Sequence, residues 1–235
     1  MRKYNEIIKE LKEIKKLGFI ETHRSGNTGI GKTLEDLLHI KENNFAGPNS
    51  HNTELKSARK ESSSMITLFT KSPIPIGINR ELLERFGRKK ENGGKVLHTT
   101  VKSSSKNTLY GKQGFKIDII DDKVQISHSN YNDMDIPYWD IDTLEKAFKK
   151  KYGNYLLYVK ADTRKNRKEE FHYNEAWLMH GFDFKNFIKL LKNDKILIDI
   201  RIGQNSNGSV HDHGTGFRVF PDNLQNCFSD RHRVI

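Results

Sequence analysis

A mixed α/β fold of the α+β kind is predicted by three features of the sequence. Segments with helical spacing and segments with strand-like alternation both occur, but not in the regular βαβ order of a doubly wound sheet. No internal repeat is present. The chain has 235 residues, enough for one large domain or for two lobes sharing a core. With 34% hydrophobic residues and a mean hydropathy of −0.76, the interior is modest beneath a heavily charged surface. The 10% aromatic content and the recurring apolar periodicity nevertheless argue for a folded chain.

Residues 4–17 read as an amphipathic helix, with Ile7, Leu11 and Ile14 at helical spacing and Gly18 as its stop. The glycine-rich stretch 26–31 leads to a second helix, TLEDLLHI. Thr33 is its expected N-cap, Asp36 lies three residues on, and Leu34, Leu37 and Leu38 form its apolar face. The loop NNFAGPNSHN precedes two strand-like runs, TELKS and SMITLFTK, and ARKESS between them reads as a hairpin connection. From 72–77, rich in Pro and Gly, to about residue 113, the composition predicts loops and a short helix near 81–86. FKIDII and KVQISH flank Asp121-Asp122 as a hairpin, and YLLYVKA is another strand. DFKNFIKLLKN is the next helix, and the strand KILIDIRIG leads through a polar loop to TGFRV.

Lys and Arg number 41 against 30 Asp and Glu, a net charge of +11 with a pI near 9.5. Such a surplus favours a polyanionic partner, because each neutralised phosphate releases condensed counterions. The single cysteine, Cys227, excludes an intrachain disulfide framework and fits a reducing cytoplasm. No apolar run approaches the length of a membrane span, and the first sixteen residues are too charged for a signal sequence. A nucleic-acid partner, a cytoplasmic location and no membrane association are therefore expected.

Residues 26–33, GNTGIGKT, satisfy the phosphate-loop pattern G-x-x-x-x-G-K-[ST] from Gly26 to Thr33, and Asp199 after ILI resembles a Mg²⁺-holding aspartate. That chemistry needs a buried parallel strand before the loop and a long helix after it. The preceding segment, FIETHRS, alternates with charge and cannot be buried on both faces, and the following helix is only about two turns long. The pattern reads better as a glycine loop entering a helix.

The segment with more chemistry is Glu54-Leu55-Lys56. On a strand, side chains two apart share a face, so Glu54 and Lys56 project together while Leu55 turns inward. The Glu54 carboxylate and the Leu55 carbonyl can ligate Mg²⁺, and Lys56 can orient or deprotonate an attacking water and offset charge on a phosphate. Alone, the pattern is weak, since any amphipathic strand produces it and a solvated charge pair explains it.

The wider sequence gives it weight. GNTGIGKTLEDLL, the loop with Pro48 before TELKS, MITLFTKSP, FKIDI and DIRIG…HDHGTGFR resemble, in order, the MvaI/BcnI restriction endonucleases. These are relatives of the mismatch-repair nickase MutH within the PD-(D/E)xK nuclease fold. The blocks run from residue 21 to about 219 and are nearer to the MvaI branch, while 78–110 and 128–190 match poorly. The resemblance implies a PD-(D/E)xK core with a mixed sheet and two lobes forming a DNA-binding cleft, with a catalytic lobe at 1–110 and a recognition lobe at 111–235. It also implies a monomer that cuts double-stranded DNA at a short site, one strand at a time, using Mg²⁺. A cognate DNA methyltransferase is the implied cellular companion. By position, Glu35 corresponds to the helix glutamate beside the site, and Glu54 and Lys56 to the E-x-K pair.

One position departs from the family: Pro48-Asn49 stands where it has Pro-Asp. An amide keeps the shape and one acceptor oxygen but loses the anionic charge that helps to hold Mg²⁺. Asn49 therefore implies a cleavage-impaired chain, whether engineered or naturally divergent.

In KILIDIRIG the isoleucines occupy one face, and Asp199 and Arg201 the other. An acceptor and a guanidinium suit major-groove readout, Arg to guanine and Asp to cytosine N4. From the bare sequence a surface ion pair is the better explanation of these two; the resemblance reverses that preference, toward base contacts. His211, Asp212, His213 and Arg218 extend the polar surface. His-x-His also hints at zinc, but Cys227 is remote in sequence and two ligands are too few. The resemblance implies a CCWGG-like target, with CCSGG as competitor. The alternatives are a MutH-like nickase or repair protein, and a P-loop NTPase using Lys32 and Thr33.

Overall fold

The computed structural model describes residues 4–40, 53–91, 93–131, 133–152 and 155–235. The chain begins with α1 (Tyr4–Lys16), β1 (Ile20–Glu21), α2 (Gly29–Leu37), β2 (Thr53–Arg59), β3 (Ile66–Thr70) and α3 (Ile78–Phe86). Seven strands follow: β4 (Arg88–Lys89), β5 (Lys95–Val101), β6 (Thr108–Leu109), β7 (Lys112–Gln113), β8 (Lys116–Ile120), β9 (Lys123–Ser127) and β10 (Tyr138–Asp140). Then come α4 (Ile141–Tyr152), β11 (Tyr155–Lys165), β12 (Glu169–His180) and α5 (Phe184–Lys192). The last elements are β13 (Ile196–Gln204), β14 (Val210–Asp212), β15 (Gly216–Val219), α6 (Pro221–Leu224) and β16 (Asp230–Arg233). No described helix is long and apolar enough to cross a membrane.

The fold is mixed α/β and separates into two compact units, each discontinuous in sequence. The first comprises Met1–Ser64, Lys149–Asp183 and Gln225–Ile235, and the second Met65–Phe148 and Phe184–Leu224. A single break near residue 110 was expected. Strand pairing overrides it, because β2 finds its neighbour not in the adjacent β3 but in β11, a hundred residues on. The ARKESS segment is accordingly not a hairpin connection: β2 and β3 lie in different sheets.

The first unit holds the sheet β1-β12-β11-β2, with β16 also paired to β12. β2 runs parallel to β11, from Thr53 opposite Tyr155 to Arg59 opposite Ala161, whereas the other pairs are antiparallel. A parallel pair needs a crossover rather than a tight turn, and here the intervening chain includes most of the second unit. α1 forms as expected, burying Ile7, Leu11 and Ile14, and ends where Gly18 adopts a left-handed φ of 72°. Its apolar stripe joins Ile30 and Leu34 of α2 over Leu55, Leu157, Val159, Phe171 and Tyr173 of the sheet.

α2 departs from expectation. It begins at Gly29, so Thr33 lies inside the helix rather than capping it. Thr33 is fully buried and its Oγ1 accepts the His23 N–H at 2.9 Å. Thr28 holds the N-cap position without a side-chain cap.

The second unit is built on the sheet β3-β15-β13-β5-β4, with β14 also on β13. β13 buries Ile196, Ile198, Ile200 and Ile202 completely, as its alternation predicts. Phe69, Phe187 and Phe217 pack together beside it, at centroid separations of 4.9–5.5 Å. β8 and β9 form the expected hairpin, with β10 added to β9.

Candidate active site

β2 opens with three buried residues, Thr53, Glu54 and Leu55. Leu55 enters the apolar cluster under α1 and α2, and the period of two turns Glu54 and Lys56 to the opposite face. Glu54 is only 2% exposed, and a buried carboxylate is costly unless it is paired. It has two ammonium partners: Lys56 Nζ at 2.9 Å from Oε1 and Lys151 Nζ at 3.2 Å from Oε2. Both lysines keep about a fifth of their side-chain surface in solvent, at 21% and 23%. Lys151 comes from the last turn of α4, whose neighbour Tyr152 has its pKa pushed up, first by burial and then by the Glu54 charge. Sequence reasoning found Lys56 and missed Lys151; no local signal links residues 97 apart.

A cavity of about 310 Å³ lies between α2 and β2. Its lining takes in Gly31, Lys32 and Glu35 of α2, and Leu55, Lys56 and Ser57 of β2. Glu35 and Lys56 are thus brought to one cavity, and Lys56 is also Glu54's partner. Asn49 and Pro48 lie outside the described residues.

The phosphate-loop pattern folds otherwise than an NTPase requires. Gly29 to Thr33 are helical, and the preceding β1 is a two-residue strand antiparallel to β12. Lys32 pairs with Asp36 at 2.7 Å, and Asp36 is held below the usual carboxylate range by Lys32 and then by His23. Residues 26–33 therefore make no phosphate cradle.

The second unit carries the other expected residues. Asp199 was expected on an exposed face, but it is fully buried. Its Oδ1 accepts from Thr100 Oγ1 at 3.0 Å, while Oδ2 takes Arg201 Nε at 2.7 Å and Arg218 Nε at 2.8 Å. Burial lowers the Arg218 pKa, partly offset by Asp199. One buried carboxylate thus aims two guanidinium groups, of which Arg201 is the more exposed. His213 and His211 stand 4.6 Å apart by ring centroid, and His98 is 6.3 Å from His213. Gly203 makes room for them, since a Cβ there would fall 2.6 Å from His213 Nε2. Asp212 faces inward: it accepts from Ser72 Oγ at 2.6 Å, Asn79 Nδ2 at 3.2 Å, and the Gly214 and Thr215 amides at 3.0 and 2.6 Å. Cys227, in the first unit, is buried, which raises its thiol pKa to about 12.

Residues 8–228 match the MvaI/BcnI restriction endonuclease family. Among solved structures, a complex of restriction endonuclease MvaI with its cognate DNA substrate is 34% identical, with 100% of both chains covered and a TM-score of 0.89. MvaI in the absence of DNA is 33% identical, covering 100% of this chain and 99% of that one, with a TM-score of 0.60. No curated protein matches the chain.

Proposed function

The chain belongs to the MvaI/BcnI restriction endonuclease family of DNA nucleases, and from that premise we propose a Mg²⁺-dependent type II enzyme that cuts duplex DNA at a CCWGG-like site, one strand at a time. The observation that carries the proposal is the Glu54 carboxylate, buried on β2 and bracketed by two lysines. DNA as partner is supported by the MvaI relative, whose structure contains its cognate substrate.

The donors fit a hard divalent ion. Glu54 and Glu35 offer carboxylate oxygens, and the main-chain carbonyl of Leu55 is the proposed further ligand. When bound, Mg²⁺ supplies Lewis-acid stabilisation of the scissile phosphate and a more acidic water. Lys56 orients that water and offsets the charge growing on phosphorus. Lys151 offsets part of the charge of the Glu54 carboxylate and fixes its direction. Asn49 supplies shape without charge, so the chain as written cuts slowly.

Arg201 and Arg218 are proposed to read guanine through O6 and N7. Asp199 accepts hydrogen bonds from Thr100 and Arg201 and is ion-paired with Arg218, and its remaining acceptor capacity is assigned to a cytosine amino group. His211 and His213 extend this reading surface. The enzyme acts as a monomer, with a cognate methyltransferase protecting the host's own sites.

The test is cleavage of a CCWGG duplex and a CCWGG-bearing plasmid in Mg²⁺, by the chain as written and by Asn49→Asp. Nicked circles preceding linear product are expected, with Asn49→Asp at least about tenfold faster. Cutting of CCSGG instead, no cutting by either form, or equal gel-shift affinity for random duplex would overturn the reading.

A further inference from the structure

β12 ends at His180, and its register with β16 sets His180 opposite Asp230 and Leu178 opposite His232. Paired residues, and residues two apart on a strand, share a face, so His180, Asp230 and His232 stand together. Both imidazoles direct Nε2 at the same oxygen: Asp230 Oδ2 lies 2.7 Å from His180 and 2.9 Å from His232. The three ligand atoms all fall within 4.8 Å of one another. The Tyr155 ring, edge-on to His180 at 5.5 Å, restrains that imidazole.

We propose that His180, Asp230 and His232 bind a divalent ion of the borderline class, Zn²⁺ above all. Two imidazoles and a carboxylate make three corners of a tetrahedron, with water as the fourth. Metal–ligand bonds of about 2.0–2.1 Å place such corners about 3.3 Å apart, so each nitrogen–oxygen separation has to open by about half an ångström while the nitrogen–nitrogen edge, within 4.8 Å, comes to the same length. With side chains 42%, 39% and 65% exposed, the three groups are open to an ion arriving from solvent.

The site is separate from the Glu54 centre. Across the sheet the order is β2, β11, β12, β16, three strand spacings or about 14 Å. The registers also put Glu54 in the row of Leu156, Met179 and Arg231, next to the row of Tyr155, His180 and Asp230 and therefore on the other face. Donor chemistry separates the two as well, since imidazole suits zinc while Mg²⁺ takes oxygen. A bound ion would tie the four-residue β16 to β12 and secure the end of the first unit.

The experiment titrates untagged full-length protein with Zn²⁺ against a chromogenic chelator, and follows thermal unfolding with and without Zn²⁺. The chain is expected to retain one equivalent and to melt higher with it. His180→Ala and His232→Ala should each weaken binding by at least about tenfold and abolish the melting shift. Asp230→Asn, which keeps one oxygen, should bind with intermediate strength. Glu54→Gln should bind as the parent does, as should a His211→Ala/His213→Ala double variant. If the parent retains no Zn²⁺, if His180→Ala and His232→Ala hold it undiminished while folded by circular dichroism, or if the His211/His213 variant is the one that loses it, the proposal fails.

Discussion

Glu54 is buried and lies between Lys56 at 2.9 Å and Lys151 at 3.2 Å. Only half of that arrangement was legible in the sequence, because Glu54 and Lys56 are two apart on a strand whereas Lys151 is brought in by the fold. Replacing Lys151 by Met leaves the carboxylate with one counter-charge and should cost about 1–3 kcal/mol, discounted for the partial exposure of the lysine. Urea denaturation checks this, and the cost should vanish in a Glu54→Gln background; an unchanged cost would assign it to packing. The pairing of Asp199 with Arg201 was legible but its burial was not, since the arginines that enclose it come partly from a strand nineteen residues on. Asp212 offers a pH test. Burial works to raise its pKa, but the bonds from Ser72, Thr215 and Gly214 outweigh it, and the group sits below 3.8. A carboxyl depressed on folding contributes stability that is whole above its unfolded pKa and lost as the pH falls through its folded one. Asp212→Asn should therefore be most destabilising near neutral pH and approach the parent as the pH falls through the lowered pKa of Asp212.

At the scale of elements, two glycines of α2 are expected to behave in opposite ways. A Cβ at Gly29 would collide with the Arg24 carbonyl and fall 2.6 Å from Thr22 Oγ1, so Gly29→Ala should cost about 1–3 kcal/mol as the preceding loop is displaced. At Gly31 the nearest atom would be Ser57 Oγ at 3.7 Å, so Gly31→Ala should be neutral or gain about 0.5 kcal/mol. Thermal melts distinguish the two, and a phosphate loop would reverse their order of importance. α1, α5, β8, β9 and β13 were legible because their apolar residues keep the period of the element. β5 was hidden because its fully buried residues, Leu97 and Val101, are four apart and, Val96 aside, charged and polar residues fill the rest. β12 was hidden by a bulge opposite Lys160/Ala161, which breaks its alternation among many charges. The start of α2 was misread because GIGK is poor helix-forming sequence, and the helix is held there by packing of Ile30 and Leu34. The supposed β2–β3 hairpin failed for another reason: local pattern identifies strands but not their partners.

For the whole molecule, the fold class was legible from mixed periodicity, and the family from ordered blocks of residues, but the division into units was not. Its segments interleave, and no composition shift marks positions 64, 148, 183 or 224. The charge of +11 makes a further prediction. If six to ten phosphates are neutralised, affinity for random duplex should fall roughly a thousandfold or more between 50 and 200 mM salt. Fluorescence anisotropy measures this, and a flat response would deny the charge a role in DNA binding. The parallel pairing of β2 with β11 also bears on how the protein comes into being. Synthesis proceeds from the amino end, so the strand carrying Glu54 leaves the ribosome about a hundred residues before its partner and Lys151. Until then Glu54 has no sheet to sit in, and messages broken early yield fragments in which it is unpaired with Lys151. Assembly of the Glu54 centre is thereby deferred until β11 has been made.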